Sequence, residues 1–230
     1  MKAQTLLSTG CLSAALFLGA ASSLRADTTV GVDPGASWLG FMNVFELPVN
    51  GGGYVFGSGW GTADLRATFA GPILTLAPNT INDPATFWYI GGGGPGAPGN
   101  KFMDANFYQE STGVLNGQTL TFTGNVLANS LTSAHTAVAF IKDFAPDYSS
   151  SVGTTIPLTP GVFSFSQLLI NDPGRHVQFG FEMIGVDVWA TDVAPFGQVD
   201  VTAVPEPSFA ALALAGIAGW MIRRRNTTRS

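Results

Sequence analysis

From Thr119 to Val126 the chain alternates: Leu120, Phe122 and Val126 fall on one face of an extended segment, and Thr119, Thr121, Thr123 and Asn125 on the other. Successive side chains of a strand point to opposite faces, so a period of two builds a half-buried strand whose apolar side needs a partner layer. The pattern returns at Val177, Phe179, Phe181 and Met183, which alternate with His176, Gln178, Gly180 and Glu182. It returns again at Phe163 and Phe165 between serines, and at Val199 and Val201 among Gln198, Asp200 and Thr202. Residues 65–69, 87–90, 102–109, 136–141 and 186–189 are further strand candidates. Between them lie turn dipeptides and tripeptides: Asn82-Asp83-Pro84, Asn116-Gly117, Thr159-Pro160-Gly161 and Asp172-Pro173-Gly174. No stretch between the two ends sustains helical spacing for three turns. About ten short strands with Gly/Pro turns predict an all-β fold, a single antiparallel β-sandwich of jelly-roll-like type. Gly91 to Asn100 is read as a long surface loop of that domain.

The two ends of the 230-residue chain follow different rules. Residues 1–26 carry Lys2, an apolar stretch from Leu6 to Ala21, and a small residue at Ala26 before Asp27. That is the layout of a secretory signal peptide, and the stretch falls short of the roughly 20 residues that a spanning helix needs. Cys11 precedes the most apolar part, Leu12 to Leu18, which argues against lipidation. At the other end Val204-Pro205-Glu206-Pro207 leads into uncharged Phe209–Ile222 and then Arg223-Arg224-Arg225. The Pro-Glu-Pro run keeps the chain extended and open to an enzyme. Phe209–Ile222 would make a short transmembrane helix of about 21 Å, and the arginines belong on the cytoplasmic side. Residues 1–26, 27–203 and 204–230 are thus expected to be a signal peptide, the sandwich body, and a segment with a helix at 209–222 and a basic tail at 223–230.

This three-part tail resembles the PEP-CTERM sorting signal. The resemblance implies that an exosortase is the partner, with Val204, Pro205, Glu206 and Pro207 as its motif, in a bacterium that makes exopolysaccharide. Export across the inner membrane, a transient anchor with the body facing the periplasm, and release to the cell surface or beyond would follow.

The body has its own charge balance. Arg66, Lys101, Lys142 and Arg175 stand against 14 acidic residues, which leaves residues 27–203 at −10. Such a body has no electrostatic means of holding phosphate backbones, so nucleic acid is excluded as a partner. It contains no cysteine, so neither disulfides nor thiolate metal sites hold it together.

A second resemblance is carried by Asn43-Val44-Phe45-Glu46, by Leu115-Asn116-Gly117-Gln118-Thr119, and by the stretch from His176 to Val201. In pattern and spacing these are similar to jelly-roll carbohydrate-binding modules, whereas Gly51 to Ala97 does not match. The resemblance implies one structural calcium held by Glu46 and a late acid, Asp192 or Asp200. It also implies aromatic platforms for sugar stacking, for which Trp60, Trp88, Tyr89 and Trp189 are the candidates, with core packing as their alternative role.

Chemistry beyond binding finds little support. His135, expected in a loop, and His176, on a polar strand face, read as solvated or hydrogen-bonded surface residues rather than zinc ligands. Gly91, Gly93 and Gly96 fit the dinucleotide spacing, but Pro95 and Pro98 forbid the helix that must follow. No local pattern marks a catalytic carboxylate pair. Asp143 and Asp147 could hold calcium, or be two solvated turn acids. The reading is a non-catalytic, exported protein that binds polysaccharide. A structural or adhesive matrix protein without a ligand site is the alternative, and a polysaccharide-acting enzyme the third.

The tail generates a direct test. Glu206→Ala should be exported and inserted normally yet stay full-length and cell-bound, because the motif carries recognition and the apolar run only depth. Deleting Arg223, Arg224 and Arg225 should instead release an uncut chain. Fractionation and intact-mass measurement from the native host distinguish the two, and normal truncation of Glu206→Ala would refute the assignment.

Overall fold

The structure is a computed structural model that describes residues 27–204. The expected signal peptide, and the sorting segment except Val204, lie outside the described residues. Twelve strands occur in this region: β1 (Thr28–Val30), β2 (Leu39–Glu46), β3 (Tyr54–Gly59), β4 (Ala67–Ala70), β5 (Ile73–Leu76), β6 (Lys101–Thr112), β7 (Thr119–Asn129), β8 (His135–Phe144), β9 (Ser151–Pro157), β10 (Gly161–Leu168), β11 (His176–Val186) and β12 (Val199–Thr202). They form two six-stranded sheets, consistent with a β-sandwich.

In the second sheet the order is β3-β2-β6-β11-β8-β9, all antiparallel. The first sheet is built on β7. One edge of β7 pairs with β10 over the whole of Thr119–Val126. Its other edge is shared end to end: β1 takes Leu120 to Phe122, and β12 takes Asn125 to Asn129 and continues to β5 and β4. The chain crosses between sheets at every step except β2 to β3, β4 to β5 and β8 to β9.

Alternation placed the long strands correctly. Leu120, Phe122 and Val126 of β7 are buried, as are Val177, Phe179, Phe181 and Met183 of β11. Three expectations need correction. First, β1 pairs with β7 in parallel, so the sandwich is not purely antiparallel. A three-residue segment fills the edge that β12 leaves open, and its direction is set by the chain entering there rather than by a hairpin. Second, residues 87–90 form a turn, with the amides of Trp88 and Tyr89 both bonded to the Ala85 carbonyl. Third, of residues 186–189 only Val186 is in a strand, and Val188 forms a lone bridge to Thr80.

The core lies between the sheets, and a cluster of phenylalanines sits at its centre. Phe122 is fully buried, with ring centroids 5.4 Å from Phe181, 5.5 Å from Phe163, 5.8 Å from Phe179 and 6.1 Å from Phe165. Trp38 stacks flat on Phe107 at 4.4 Å, and its indole N–H donates to the Asp33 carbonyl.

Phe122→Ala should cost about 3–5 kcal/mol, the range for a large aromatic lost from a packed core. Leu168→Ala, on a side chain 69% exposed, should stay within about 0.5 kcal/mol. Denaturant unfolding followed by tryptophan fluorescence measures both, and equal losses would mean that the ring is not where the sheets are joined.

Candidate functional site

Residues paired in register on adjacent strands share a face, which defines the outer side of the second sheet. Phe41 stands opposite Asn106 and Asn43 opposite Asp104. Asn106 stands opposite Glu182, Tyr108 opposite Gly180, and Glu110 opposite Gln178. Gly180 and Gln178 in turn face Phe140 and Lys142. These residues belong to the polar half of each alternation, yet many are withdrawn from water: Asn106 is 5% exposed, Tyr108 8% and Gln178 9%.

They sink because a cleft of about 500 Å³ runs over this face. Phe41, Tyr54, Tyr108, Phe144 and Tyr148 supply its aromatic walls, and Asn43, Asn106, Glu110, Lys142 and Gln178 its polar groups. Gly180 lets β11 approach β6 closely beneath this face, because a Cβ there would collide with the Phe107 carbonyl.

Two hydrogen-bonded networks organise the polar groups. At one end Glu110 accepts from the Tyr148 hydroxyl at 2.9 Å and from Gln178 Nε2 at 2.7 Å. The Tyr148 ring stacks on His176 at 4.2 Å, and His176 Nδ1 lies 2.9 Å from Thr112 Oγ1 and 3.4 Å from Glu110 Oε1. Tyr148 takes a left-handed backbone, φ 58°, in the turn after β8, an uncommon conformation for a bulky residue. Removal from water and the bond to Glu110 push its phenol up to about 12, so it remains a donor.

At the other end Asp104 accepts from Asn43 Nδ2 at 3.1 Å and from Asn106 Nδ2 at 2.7 Å. Lys142 Nζ donates to Asn106 Oδ1 at 3.0 Å and to Glu182 Oε2 at 3.2 Å. Burial first, and the Glu182 carboxylate next, raise the Asp104 carboxyl to about 7.

None of the aromatic residues singled out from the sequence lines this cleft. Tyr89 is fully buried, its hydroxyl donating to the Ile81 carbonyl at 2.7 Å, so no ligand can reach its ring. Trp189 packs edge-on to Tyr89 at 5.2 Å and fills the space over Gly93. Trp88 meets Phe87, Phe56 and Trp60 edge to face. Trp60, bonded to Ser58 Oγ, borders a separate open groove of about 530 Å³ beside Asp64 and Arg66. Tyr89 belongs to the core, and Trp60, Trp88 and Trp189 pack against it while staying partly exposed.

The expected calcium ligands are each held by other partners. Glu46 pairs with Lys101 Nζ at 3.1 Å, Asp192 accepts from the Gly96 amide at 2.6 Å, and Asp200 accepts from Thr75 Oγ1 at 2.7 Å. Among the described residues no three of His, Cys, Asp and Glu are grouped so that they could hold a metal ion. Asp143 is no solvated turn acid. It is fully buried, bonded to Arg175 Nε at 2.7 Å and to the Ile170 amide at 2.8 Å, and pins the 170–175 turn to β8. Asp147 does sit in a turn, accepting from the Ser149 amide and hydroxyl. His135 is not in a loop but opens β8, 4% exposed, with Nε2 2.9 Å from the Val186 carbonyl. Burial lowers its pKa and favours the neutral ring.

The sequence signal for the cleft was present but weak: Asn106, Tyr108 and Glu110 alternate along residues 102–109 and just beyond. Which neighbours would complete the face depends on strand order, which alternation does not encode. Compared with protein-family models, with curated proteins and with solved structures, the chain matches none.

Proposed function

We propose that this chain is an exported cell-surface or extracellular-matrix protein, not an enzyme, that binds a polysaccharide chain in the cleft of the second sheet. One observation carries the reading: aromatic walls and hydrogen-bonding amides, carboxyls and hydroxyls share one cleft on a rigid sheet face. Sugars offer C–H faces for rings and hydroxyls for polar side chains, so both halves of the cleft have something to meet. The two-sheet sandwich supports the jelly-roll-like reading. The position of Val204, two residues after β12, supports a sorting segment that begins where the body ends. Exosortase processing and transient anchoring through residues 209–222 belong to the same proposal.

The charges narrow the ligand class. Lys142, the cation of the cleft, is already paired with Glu182, and Glu110 adds a further carboxylate. An acidic polymer would meet like charge without a free cation to offset it. The ligand is therefore an uncharged polysaccharide.

The test is binding of the mature protein to soluble uncharged glucans, mannans and galactans, with alginate as the acidic comparison. Tyr54→Ala removes a ring that is 61% exposed at the cleft and should weaken binding about 5- to 10-fold, equivalent to roughly 1–1.4 kcal/mol. Trp189→Ala should leave the affinity unchanged in whatever fraction stays folded. Tighter binding to alginate would overturn the charge argument. No binding to any polymer would favour a structural matrix protein instead.

A further inference from the structure

We propose that the groove beside Trp60 is a second sugar-binding site, with Arg66 as its principal donor, so that one body holds two chains of an uncharged polysaccharide. The ligand class rests on the reading of the cleft, whereas the site rests on its own residues.

The backbone at Arg66 is the first observation. The amides of Asp64 and Leu65 bond the Gly61 carbonyl, and those of Arg66 and Ala67 bond Ala63 and Thr62, which winds residues 61–67 into one tight turn. To leave it into β4 the chain passes through a left-handed residue, Arg66, at φ 58°. Such an exit is ordinarily glycine, which has no Cβ to crowd the following carbonyl. The body uses glycine at ten positions of positive φ and departs from it, among the described residues, only at Arg66 and Tyr148. Tyr148 is a wall of the cleft. A large side chain retained where the backbone favours glycine marks a position held for what that side chain does.

The surroundings of Arg66 are the second observation. Its side chain is half-buried, yet it has no ion pair or hydrogen bond among the described residues, whereas Lys101, Lys142 and Arg175 are each paired with a carboxylate. Asp64, Thr80 and Asn82 border the same groove of about 530 Å³, and their side chains likewise have no hydrogen-bond partner among the described residues. The groove thus gathers unfilled donors and acceptors, whereas the polar groups of the cleft are largely bonded to one another. Trp60 supplies the apolar part and is held in place, with Nε1 donating to Ser58 Oγ at 2.9 Å and its ring edge-on to Trp88 at 6.5 Å.

Charge selects the ligand. An anion would suit a free guanidinium, but carboxylates border Arg66 on both sides: Asp64 in this groove, and Asp200 in the neighbouring one that Arg66 also lines. A sugar hydroxyl meets both signs at once, accepting from the guanidinium while donating to the Asp64 carboxylate. The C–H face of the same sugar then has the Trp60 ring to lie against. The groove and the cleft have no lining residue in common, so a molecule with both filled links two polymer chains.

Short oligosaccharides of the glucans, mannans and galactans named above, titrated into the mature protein, should shift the Trp60 indole N–H signal in NMR spectra as well as the Asn43 and Asn106 side-chain amides of the cleft. Arg66→Gly suits the left-handed turn, so its Tm should be unchanged or higher. Its affinity read at Trp60 should nevertheless fall about 10- to 100-fold, the range for a lost hydrogen bond to a charged group. The affinity read at the cleft amides should not change, and Tyr54→Ala should do the reverse. Long chains should be cross-linked into a precipitate by the wild type and not by Arg66→Gly. A Trp60 signal that no neutral oligosaccharide moves, while the cleft amides respond, would overturn the second site and leave the cleft reading intact. A Trp60 response unaltered in Arg66→Gly would overturn the role of Arg66, and one given by alginate fragments alone would overturn the uncharged ligand. If the cleft amides stay still while Trp60 responds, the cleft reading falls and this site stands alone.

Discussion

Phe122 is the point at which the two sheets become one body. It sits mid-strand on β7, the strand to which β1, β10 and β12 are all paired, and its ring meets Phe179 and Phe181 of the opposite sheet. Each buried phenylalanine is worth about 1.5–3 kcal/mol in transfer from water, so the four buried rings of this cluster provide much of what a body without cysteines needs. The cleft depends on this indirectly. Phe179 and Phe181 point inward from β11, which obliges Gln178, Gly180 and Glu182 to the outer face, where Gln178 lines the cleft. The same alternation that closes the core lays out the site.

How much of this was legible in the sequence follows from where the information resides. Strands β7, β10, β11 and β12 were read from alternation alone, because a half-buried strand writes its burial into every second residue. β1, β2, β3, β5 and β9 were missed: β3 and β9 are edge strands with little to bury, β3 containing Gly57 and Gly59 and β9 being largely exposed; β1 and β5 are only three and four residues long; and in β2 the outward Phe41 and Phe45 hide the alternation of the buried Met42 and Val44. Residues 87–90 misled because an aromatic run looks like a strand, whereas Tyr89 is drawn inward from a turn to bond the backbone at Ile81.

The site was harder to see for a different reason. Tryptophans attract attention as sugar platforms, but here they lie half-buried against the core and away from this cleft. The rings that line the cleft are instead tyrosines and phenylalanines at outward strand positions, from β2, β3, β6, β8 and the turn at Tyr148. They are far apart in sequence and become neighbours only through the strand order β3-β2-β6-β11-β8. The acids show the same effect. Asp143, read as a turn acid or a calcium ligand, is buried against Arg175, whereas Asp104 and Glu182, unremarkable within their strands, become diagonal neighbours across a ladder.

The placement of β12 bears on mechanics. The last strand of the body is an interior one, held by β7 on one side and β5 on the other. A pull along the strand from beyond residue 204 would load both ladders in shear, with their hydrogen bonds strained together rather than unzipped in turn. A polymer gripped on the outer face of the opposite sheet would place the aromatic core directly in the path of that tension. A sandwich wired this way can bear load between whatever holds its end and whatever occupies its cleft.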